Sequence, residues 1–344
     1  MSSVIPKTVF VGLDYHSESV QVCVLDRDQK LLANQSCSND WRAVVAAVQK
    51  RCGEQVNVQA AIEACCGAAD LADELIAQAQ WSVNLAHPGY VARIKQSPDK
   101  TDFSDARLLA DLERVGYLPR VWLAPEEVRE LRRLVRYRQA LTKERKNLKL
   151  QIGATLREAR KKPPVELNSW TKAWLAWLEE TAVLSRNARW ITRHRLTRLA
   201  TLAKEIRAVE LRLEQQTAQD PLVRKLLTLP GIGLVTAVTI RAEIGRFDRF
   251  RTGKQLARFC GLTPRNASSG QRQADAGLIK AGNPQLRTVL VEAAHRLIRY
   301  DERWTRLAAQ LCRRGKPVSV TTAAIANRWV RWLFHQMQPG QLAA

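Results

Sequence analysis

The sequence predicts a mixed α/β domain at the N-terminus, followed by a longer, basic and largely helical remainder. Short β-branched runs alternate with amphipathic helices up to about residue 118. Leucine heptads cross the middle of the chain, and apolar residues at three-four spacing occupy the C-terminal part. We therefore expect an α/β plus all-α multidomain protein with domains at 1–118, 119–216 and 217–344. A chain of 344 residues is long enough for this division.

The first domain is expected to begin with a three-stranded meander. Residues 8–14 are rich in β-branched and aromatic side chains, Ser19–Leu25 alternates around valines, and 30–36 is the third candidate strand. Helices and strands then alternate: helix 40–51, strand 57–62, helix 68–80, strand 82–86, a break at 87–89, and helix 101–115. This order is that of ribonuclease-H-like folds.

Carboxylates fall where such a fold carries out chemistry. Asp14 ends the first strand, Glu63 ends the fourth, and Asp102 and Asp105 share one face at the start of the last helix. Each of them alone is more simply explained as a solvated strand end or a helix-terminal acid. Together they predict a site for Mg²⁺, with Mn²⁺ as the other option, because hard oxygen ligands suit these ions. Two such ions would serve phosphodiester chemistry.

The middle of the chain predicts two long basic helices. Leu134, Leu141 and Leu148 repeat at heptad spacing, and a second set runs from Leu199 to Leu213. Between them, the prolines at 163 and 164 break the pattern. The two arms indicate an antiparallel coiled-coil hairpin or a dimerisation stalk. Their charge makes them a candidate nucleic-acid clamp, and a solvated coiled coil is the alternative.

The third domain is expected to begin with a helix-hairpin-helix. Leu229–Gly233 reads LPGIG, and a turn with Gly231 and Gly233 would leave backbone N–H groups at a helix start for a phosphate. An ordinary helical corner is the alternative. Further along, Ser268, Ser269 and Gly270 lie between Arg265 and Arg272. This serine loop either supplies a nucleophile beside a phosphate or is a surface loop without a function. Helices at 285–300, 304–311 and 319–337 complete the domain.

Charge identifies the class of partner. The chain carries 55 Lys and Arg against 33 Asp and Glu, a net charge of +22, and the excess lies after residue 115. Such a basic mass indicates a polyanion, and nucleic acid fits folded arms better than an anionic membrane does. We find no long apolar run and no secretion leader in the sequence. The seven scattered cysteines lack a CxxC pair, which indicates reduced thiols in a cytoplasm and no zinc site.

Several blocks together resemble the insertion-sequence 110 group of transposases, also called DEDD transposases or bridge-RNA-guided recombinases. The matching blocks are VGLD up to Asp14, AAIEA around Glu63, KTDxxDA from 100 to 106, LPGIG at 229–233, FCGLTPR at 259–265, the Ser269-Gly270 pair, and Lys280-Ala281-Gly282 with Leu286-Arg287. They run in the family order from about residue 8 to about 300.

The resemblance implies a RuvC-like domain, a coiled coil and a helical transposase domain. It implies that Asp14, Glu63, Asp102 and Asp105 bind Mg²⁺ and that Ser269 forms a covalent phosphoserine link to DNA. Gly231, Gly233, Arg265, Arg272 and Lys280 would then contact nucleic acid. The expected partners are donor and target double-stranded DNA, a structured noncoding guide RNA, and further copies of the chain in a dimer or tetramer. The expected location is the bacterial cytoplasm, in association with the nucleoid.

The sequence departs from the family at three places. Cys65 and Cys66 stand where a threonine is usual, and Ile279 replaces a serine before Lys280. Ser268 beside Ser269 leaves the nucleophile open on composition alone. Two other functions fit the residues: a junction-resolving hydrolytic nuclease, which needs the acids but not Ser269, and a noncatalytic nucleic-acid-binding protein, which needs neither.

Overall fold

We analysed a computed structural model of the chain, which describes residues 7–95, 101–266 and 275–338. The chain folds into two compact units, Met1–Ala124 and Pro125–Ala344. The first is mixed α/β and the second is mostly helical, as the sequence predicts. The long middle helices belong to the second unit, and the three domain boundaries proposed from the sequence stay a prediction.

The first unit is built on a six-stranded sheet of order β3-β2-β1-β4-β5-β6. Its strands are β1 (Lys7–Tyr15), β2 (Ser19–Leu25), β3 (Leu31–Ser38), β4 (Val56–Glu63), β5 (Ser82–Ala86) and β6 (Arg120–Val121). The β1, β2 and β3 strands form the antiparallel meander, and β4 and β5 join β1 in parallel. The order is consistent with a DEDD nuclease-like domain.

Four helices flank this sheet: α1 (Trp41–Cys52), α2 (Ala68–Ala79), α3 (Pro88–Ile94) and α4 (Asp102–Arg114). Asp40 caps α1 by accepting hydrogen bonds from two backbone N–H groups. The helix α3 replaces the break expected at 87–89, because a proline at the first helical position starts a helix as readily as it ends one.

In the second unit, two helices of more than 30 residues run side by side. They are α5 (Glu126–Glu158) and α7 (Arg186–Thr217). Arg138 pairs with Glu210 and Glu144 pairs with Arg198, so the helices are antiparallel. Leu141 and Leu202 lie in the buried seam between them. The heptad pattern thus marks the packed face, while the coiled-coil register stays a prediction.

The arms are joined by α6 (Lys172–Ala176), which runs into a π-helical turn (Trp177–Thr181). Trp174 and Leu178 are buried there against Ile152, so this tryptophan packs a small core. The remaining helices are α8 (Pro221–Leu227), α9 (Leu234–Ile244), α10 (Gly253–Phe259), α11 (Pro284–Tyr300), α12 (Glu302–Arg313) and α13 (Val318–Gln336), with a β7 (Pro264–Asn266) and β8 (Asp275–Leu278) hairpin. Among the described helices, none has the length and apolarity required to span a bilayer.

Candidate functional site

The first group of candidate residues lies at one edge of the six-stranded sheet. Parallel pairing of β1 with β4 sets Leu13 opposite Ile62, so Asp14 and Glu63 follow at the same edge. Burial raises the pKa of the Cys65 thiol, and the negative charges of Glu63 and Asp14 raise it further. Both carboxylates therefore act electrostatically on the same thiol, as expected for neighbouring strand ends.

A close contact between β1 and α4 brings the helix acids to this edge. Gly12 faces α4, and a Cβ atom at this position would overlap the backbone of Ala106 and Ala110. The absence of a side chain lets the helix lie directly on the strand. The Asn34 side chain also donates a 3.0 Å hydrogen bond to the Phe103 carbonyl oxygen, which fixes the first turn of α4 over the sheet.

Thr101 begins α4 as its N-cap. Its hydroxyl accepts a hydrogen bond from the Ser104 backbone N–H, and the Ser104 hydroxyl lies within hydrogen-bond reach of the Thr101 backbone, a capping box. Asp102 and Asp105 are thus in the first turn but do not cap the helix. Capping therefore does not account for Asp102, whereas its place in the first turn of α4 suits the helix dipole.

The structure brings Asp14 and Asp102 together around His16. The Nε2 atom of His16 lies 3.5 Å from Asp14 Oδ2 and 3.4 Å from Asp102 Oδ2. One donor atom from each of the three residues falls within 4.8 Å of the others, a spacing that fits a single metal ion. Asp14 is 20% exposed and Asp102 60% exposed, so the group opens to solvent on the helix side.

Asp105 has a different partner. Its carboxylate is paired with the Lys95 ammonium, which follows α3, and both side chains are about four-fifths buried. Asp14 and Asp102 thus lie at metal-ligand spacing, Glu63 ends its strand at the same edge of the sheet, and Asp105 is paired with a lysine. The predicted set of four metal-binding acids stays a prediction. An ion at this site would have to displace Lys95 before Asp105 joined the ligands.

The sequence interpretation missed His16 and Lys95. For His16 the signal was weak, because it lies two residues after Asp14 but beyond the end of β1, where strand alternation no longer determines which way a side chain points. For Lys95 there was none, since its approach to Asp105 depends on α3, which the sequence interpretation took as a break.

The second group surrounds the serine loop in the second unit. Ser268, Ser269, Gly270 and Arg272 lie outside the described residues. The strands on either side of them pair as a hairpin, with Pro264 opposite Leu278. Below it, the Ile279 N–H donates to the Thr263 carbonyl oxygen at 3.0 Å. The loop that carries the serines is thus closed at its base.

Two glycines complete this base, which we call the neck of the serine loop (residues 261–263 and 279–282). A Cβ atom on Gly282 would overlap the Cα of Gly261, so the two backbones touch. Arg287 spans the neck, donating hydrogen bonds to the carbonyl oxygens of Ile279 at 3.0 Å and Gly261 at 3.4 Å. The FCGLTPR and Lys280-Ala281-Gly282 blocks are therefore two sides of one junction.

A buried carboxylate links the neck to the basic arm. Glu243 on α9 is 3% exposed. It accepts hydrogen bonds from Arg136 Nε at 2.9 Å and Nη2 at 3.1 Å, and from Asn283 Nδ2 at 2.9 Å. Asn283 also caps α11. One residue therefore holds α5, α9 and the start of α11 in register.

The LPGIG segment forms the turn between α8 and α9. Gly231 has a positive φ of 76°, and Gly233 is the N-cap of α9. The exposed Arg296 guanidinium lies beside this turn, with Nη1 4.0 Å from the position of a Cβ on Gly233. The turn thus offers a helix N-terminus and a cation to an anion, and sequence reasoning missed Arg296 because α11 brings it there. Arg265 and Lys280 are exposed on either side of the neck.

Two family models match this chain, one in each group's part of the sequence. The sequence model of the IS110-type DEDD transposases, described as "Transposase", matches residues 11–160. The model described as "Transposase IS116/IS110/IS902 family" matches 223–310. The first match spans the acids and α5, and the second spans the LPGIG turn and the neck.

Curated relatives extend the match over nearly the whole chain. A putative transposase, y4qE, of Sinorhizobium fredii is 30% identical over 70% of this chain, and this chain spans 65% of that relative. A probable family 20 transposase of Pseudomonas aeruginosa is 28% identical over 94% of this chain and 95% of its own length. The transposase for insertion sequence element IS1111A of Coxiella burnetii is 25% identical over 94% and 88%. The chain therefore belongs to the IS110 family and is a transposase of an insertion sequence.

Proposed function

We propose that this transposase cuts and rejoins DNA strands through a phosphoserine intermediate at Ser269, with a divalent metal ion held by the sheet-edge acids. The observation that carries the proposal is the grouping of Asp14 and Asp102 at metal-ligand spacing at the edge where Glu63 also ends its strand. Asp14 and Asp102 both lie beside His16, and carboxylates grouped in this way can hold the metal ion that assists phosphodiester chemistry.

Asp14, Glu63 and Asp102 would hold Mg²⁺, or Mn²⁺, through carboxylate oxygens. Such an ion supplies charge stabilisation at the phosphate under attack. Asp105 would join the ligands once Lys95 releases it, so the lysine keeps this acid neutralised until an ion arrives. All four acids would therefore bind the ion, with Asp105 joining only after it separates from Lys95.

Ser269 would supply the nucleophile. Its Oγ gives up a proton and forms a bond to phosphorus, while the bond from phosphorus to one deoxyribose oxygen breaks and that oxygen leaves as a hydroxyl. A hydroxyl from another strand then attacks the same phosphorus, which restores the serine and forms the new phosphodiester. Because one phosphodiester is made for each one broken, no external energy source is needed. Ser268 is the competing nucleophile that the experiment below tests.

Exposed cations in the second unit support DNA binding. Arg265 and Lys280 are exposed beside the neck, Arg296 is exposed beside the turn at Gly231 and Gly233, and this turn would bind a phosphate. These residues, together with Arg272, would contact phosphates and would not read the base sequence. We propose that target choice comes from a structured noncoding RNA by base pairing, and that the basic arms α5 and α7 hold its backbone. Acids of one subunit and the serine of another would form a shared site in a dimer or tetramer.

The test is the covalent intermediate. The gene is expressed with its flanking DNA, the protein is mixed with donor and target plasmids and Mg²⁺, and protein-linked DNA is resolved on a denaturing gel. We expect an adduct with wild type and with Ser268→Ala, and none with Ser269→Ala or Asp14→Ala. Retention of the adduct in Ser269→Ala and its loss in Ser268→Ala would identify Ser268 as the nucleophile.

Other outcomes select the other functions. Cleavage without an adduct, unaffected by Ser269→Ala, leaves a hydrolytic nuclease. DNA binding without cleavage, equal in wild type and Asp14→Ala, leaves a noncatalytic binder. Sequencing of the RNA that copurifies with the protein tests guidance separately: a uniform transcript from the ends of the element is expected, and random host fragments would refute it.

A further inference from the structure

His16 occupies a defined position at the sheet edge. It follows β1 directly, and its backbone is held on both sides: its N–H donates to the Ser19 carbonyl oxygen at 2.9 Å, and its carbonyl oxygen accepts from the Asn39 side chain at 2.9 Å. The imidazole is therefore carried by an ordered turn between β1 and β2. About half of the ring surface is accessible, so an ion can reach it from solvent.

The donor spacing matches coordination of one ion. Ligand atoms at ~2.1 Å from a metal stand ~3.0 Å apart at neighbouring octahedral positions and ~3.4 Å apart in a tetrahedron. The Nε2 atom of His16 lies 3.5 and 3.4 Å from the carboxylate oxygens of Asp14 and Asp102. Small rotations of the exposed Asp102 side chain would close this set around an ion without moving the backbone.

The donor chemistry then favours one class of ion. Mg²⁺ takes hard oxygen ligands in near-ideal octahedral geometry, whereas transition-metal ions accept imidazole nitrogen readily. A nitrogen beside two carboxylates adds binding energy for a transition metal and little for Mg²⁺. An all-carboxylate site would make this distinction less strongly.

We propose that His16 Nε2 is a direct ligand of the ion held by Asp14 and Asp102, and that it makes this site bind Mn²⁺ in preference to Mg²⁺. The inference rests on the metal site in the proposed function and adds a residue and a metal preference to it. His16 is a binding residue in this scheme and has no part in proton transfer.

The test uses the full-length protein with Mn²⁺ or Mg²⁺ alone. Calorimetric titration of each ion is carried out on wild type, His16→Ala and Asp102→Asn, with His87→Ala as a matched histidine control in the same unit. We expect His16→Ala to weaken Mn²⁺ binding by about tenfold or more, as loss of a ligand or its support does, and to change Mg²⁺ binding little. Asp102→Asn should weaken both ions, and His87→Ala neither.

A spectroscopic readout tests ligation directly. Electron spin echo modulation of bound Mn²⁺ should show coupling to a nitrogen nucleus in wild type and in His87→Ala, and no such coupling in His16→Ala. Circular dichroism melting of each variant confirms that the fold is kept. These readouts do not depend on DNA cleavage.

Three results would overturn the inference: no nitrogen coupling in wild type, equal weakening of both ions in His16→Ala, or tighter binding of both ions in that variant. The last would mean that His16 only bridges the two carboxylates and competes with the ion. If wild type still forms the DNA adduct with Mg²⁺ in any of these cases, the proposed function stands and only the role of His16 fails. A wild type that binds neither ion overturns both.

Discussion

Replacement of Glu243 by alanine should destabilise the second unit more than replacement of any exposed acid on the arms. Glu243 is 3% exposed and accepts two hydrogen bonds from Arg136 and one from Asn283. Arg132 lies 3.8 Å from the same carboxylate. Alanine would leave these three donors around a small void: two charged arginines on α5 and one amide at the start of α11.

The magnitude follows from the exposure of each partner. A hydrogen bond to a charged group contributes ~1.5–3 kcal/mol. Because Arg136 is 54% exposed and regains water in the variant, we discount its two bonds to about 1 kcal/mol together. With the Asn283 bond, the expected loss in free energy of unfolding is about 2–4 kcal/mol. For a unit of this size, that lowers the melting temperature by roughly 4–16 °C.

Differential scanning calorimetry of Glu243→Ala against wild type measures the loss. Glu144→Ala is the matched control, since Glu144 on α5 is 43% exposed and pairs with a single arginine, Arg198. It should cost less than about 1 kcal/mol. Glu243→Gln, which keeps the shape and an acceptor oxygen, should fall between the two. Equal melting of Glu243→Ala and Glu144→Ala would refute the reasoning that the buried carboxylate joins the three helices.

Three further predictions concern the site. Gly12→Ala should weaken Mn²⁺ binding and destabilise the first unit by about 1–3 kcal/mol, because the new Cβ pushes α4 off β1. The control is Gly89→Ala, whose Cβ has no contact closer than 3.4 Å. It should change neither Mn²⁺ binding nor stability. Lys95→Met should raise the affinity for divalent ions about three- to tenfold, because Asp105 no longer pairs with a competing positive charge. Calorimetric titration measures this, and an affinity below that of wild type would contradict the prediction. Gly282→Ala should abolish the DNA adduct on a denaturing gel by spreading the neck, while Gly153→Ala on α5 should form as much adduct as wild type.

Local patterns were sufficient for most elements of the first unit. The ends of β2 and β5 coincide with those expected from valine alternation and flanking turns. The two-residue strand β6 was not predicted, because it exists only by pairing with the end of β5. Two residues are too few to show an alternating sequence pattern, so β6 is defined only by its pairing with β5.

The site was predictable to the extent that sheet topology determines it. Parallel neighbours end at one edge, so the positions of Asp14 and Glu63 follow from the order of strands. The pairing of Asp105 with Lys95 depends on how a side chain leaves a short helix, which neither periodicity nor spacing encodes. In the second unit, Arg136 and Glu243 are 107 positions apart, and no single-sequence signal connects residues at that distance.

Because of the neck, the length of the serine loop should have little effect on the stability of the fold. The contact between Gly261 and Gly282 and the hydrogen bonds of Arg287 close the loop at its root, where the helical core begins. Doubling the length of a closed loop costs only ~0.6 kcal/mol of chain entropy. Residues could therefore be inserted or exchanged beyond the neck with little effect on folding. The segment beyond the neck can therefore be exchanged as a cassette while the helical scaffold is kept.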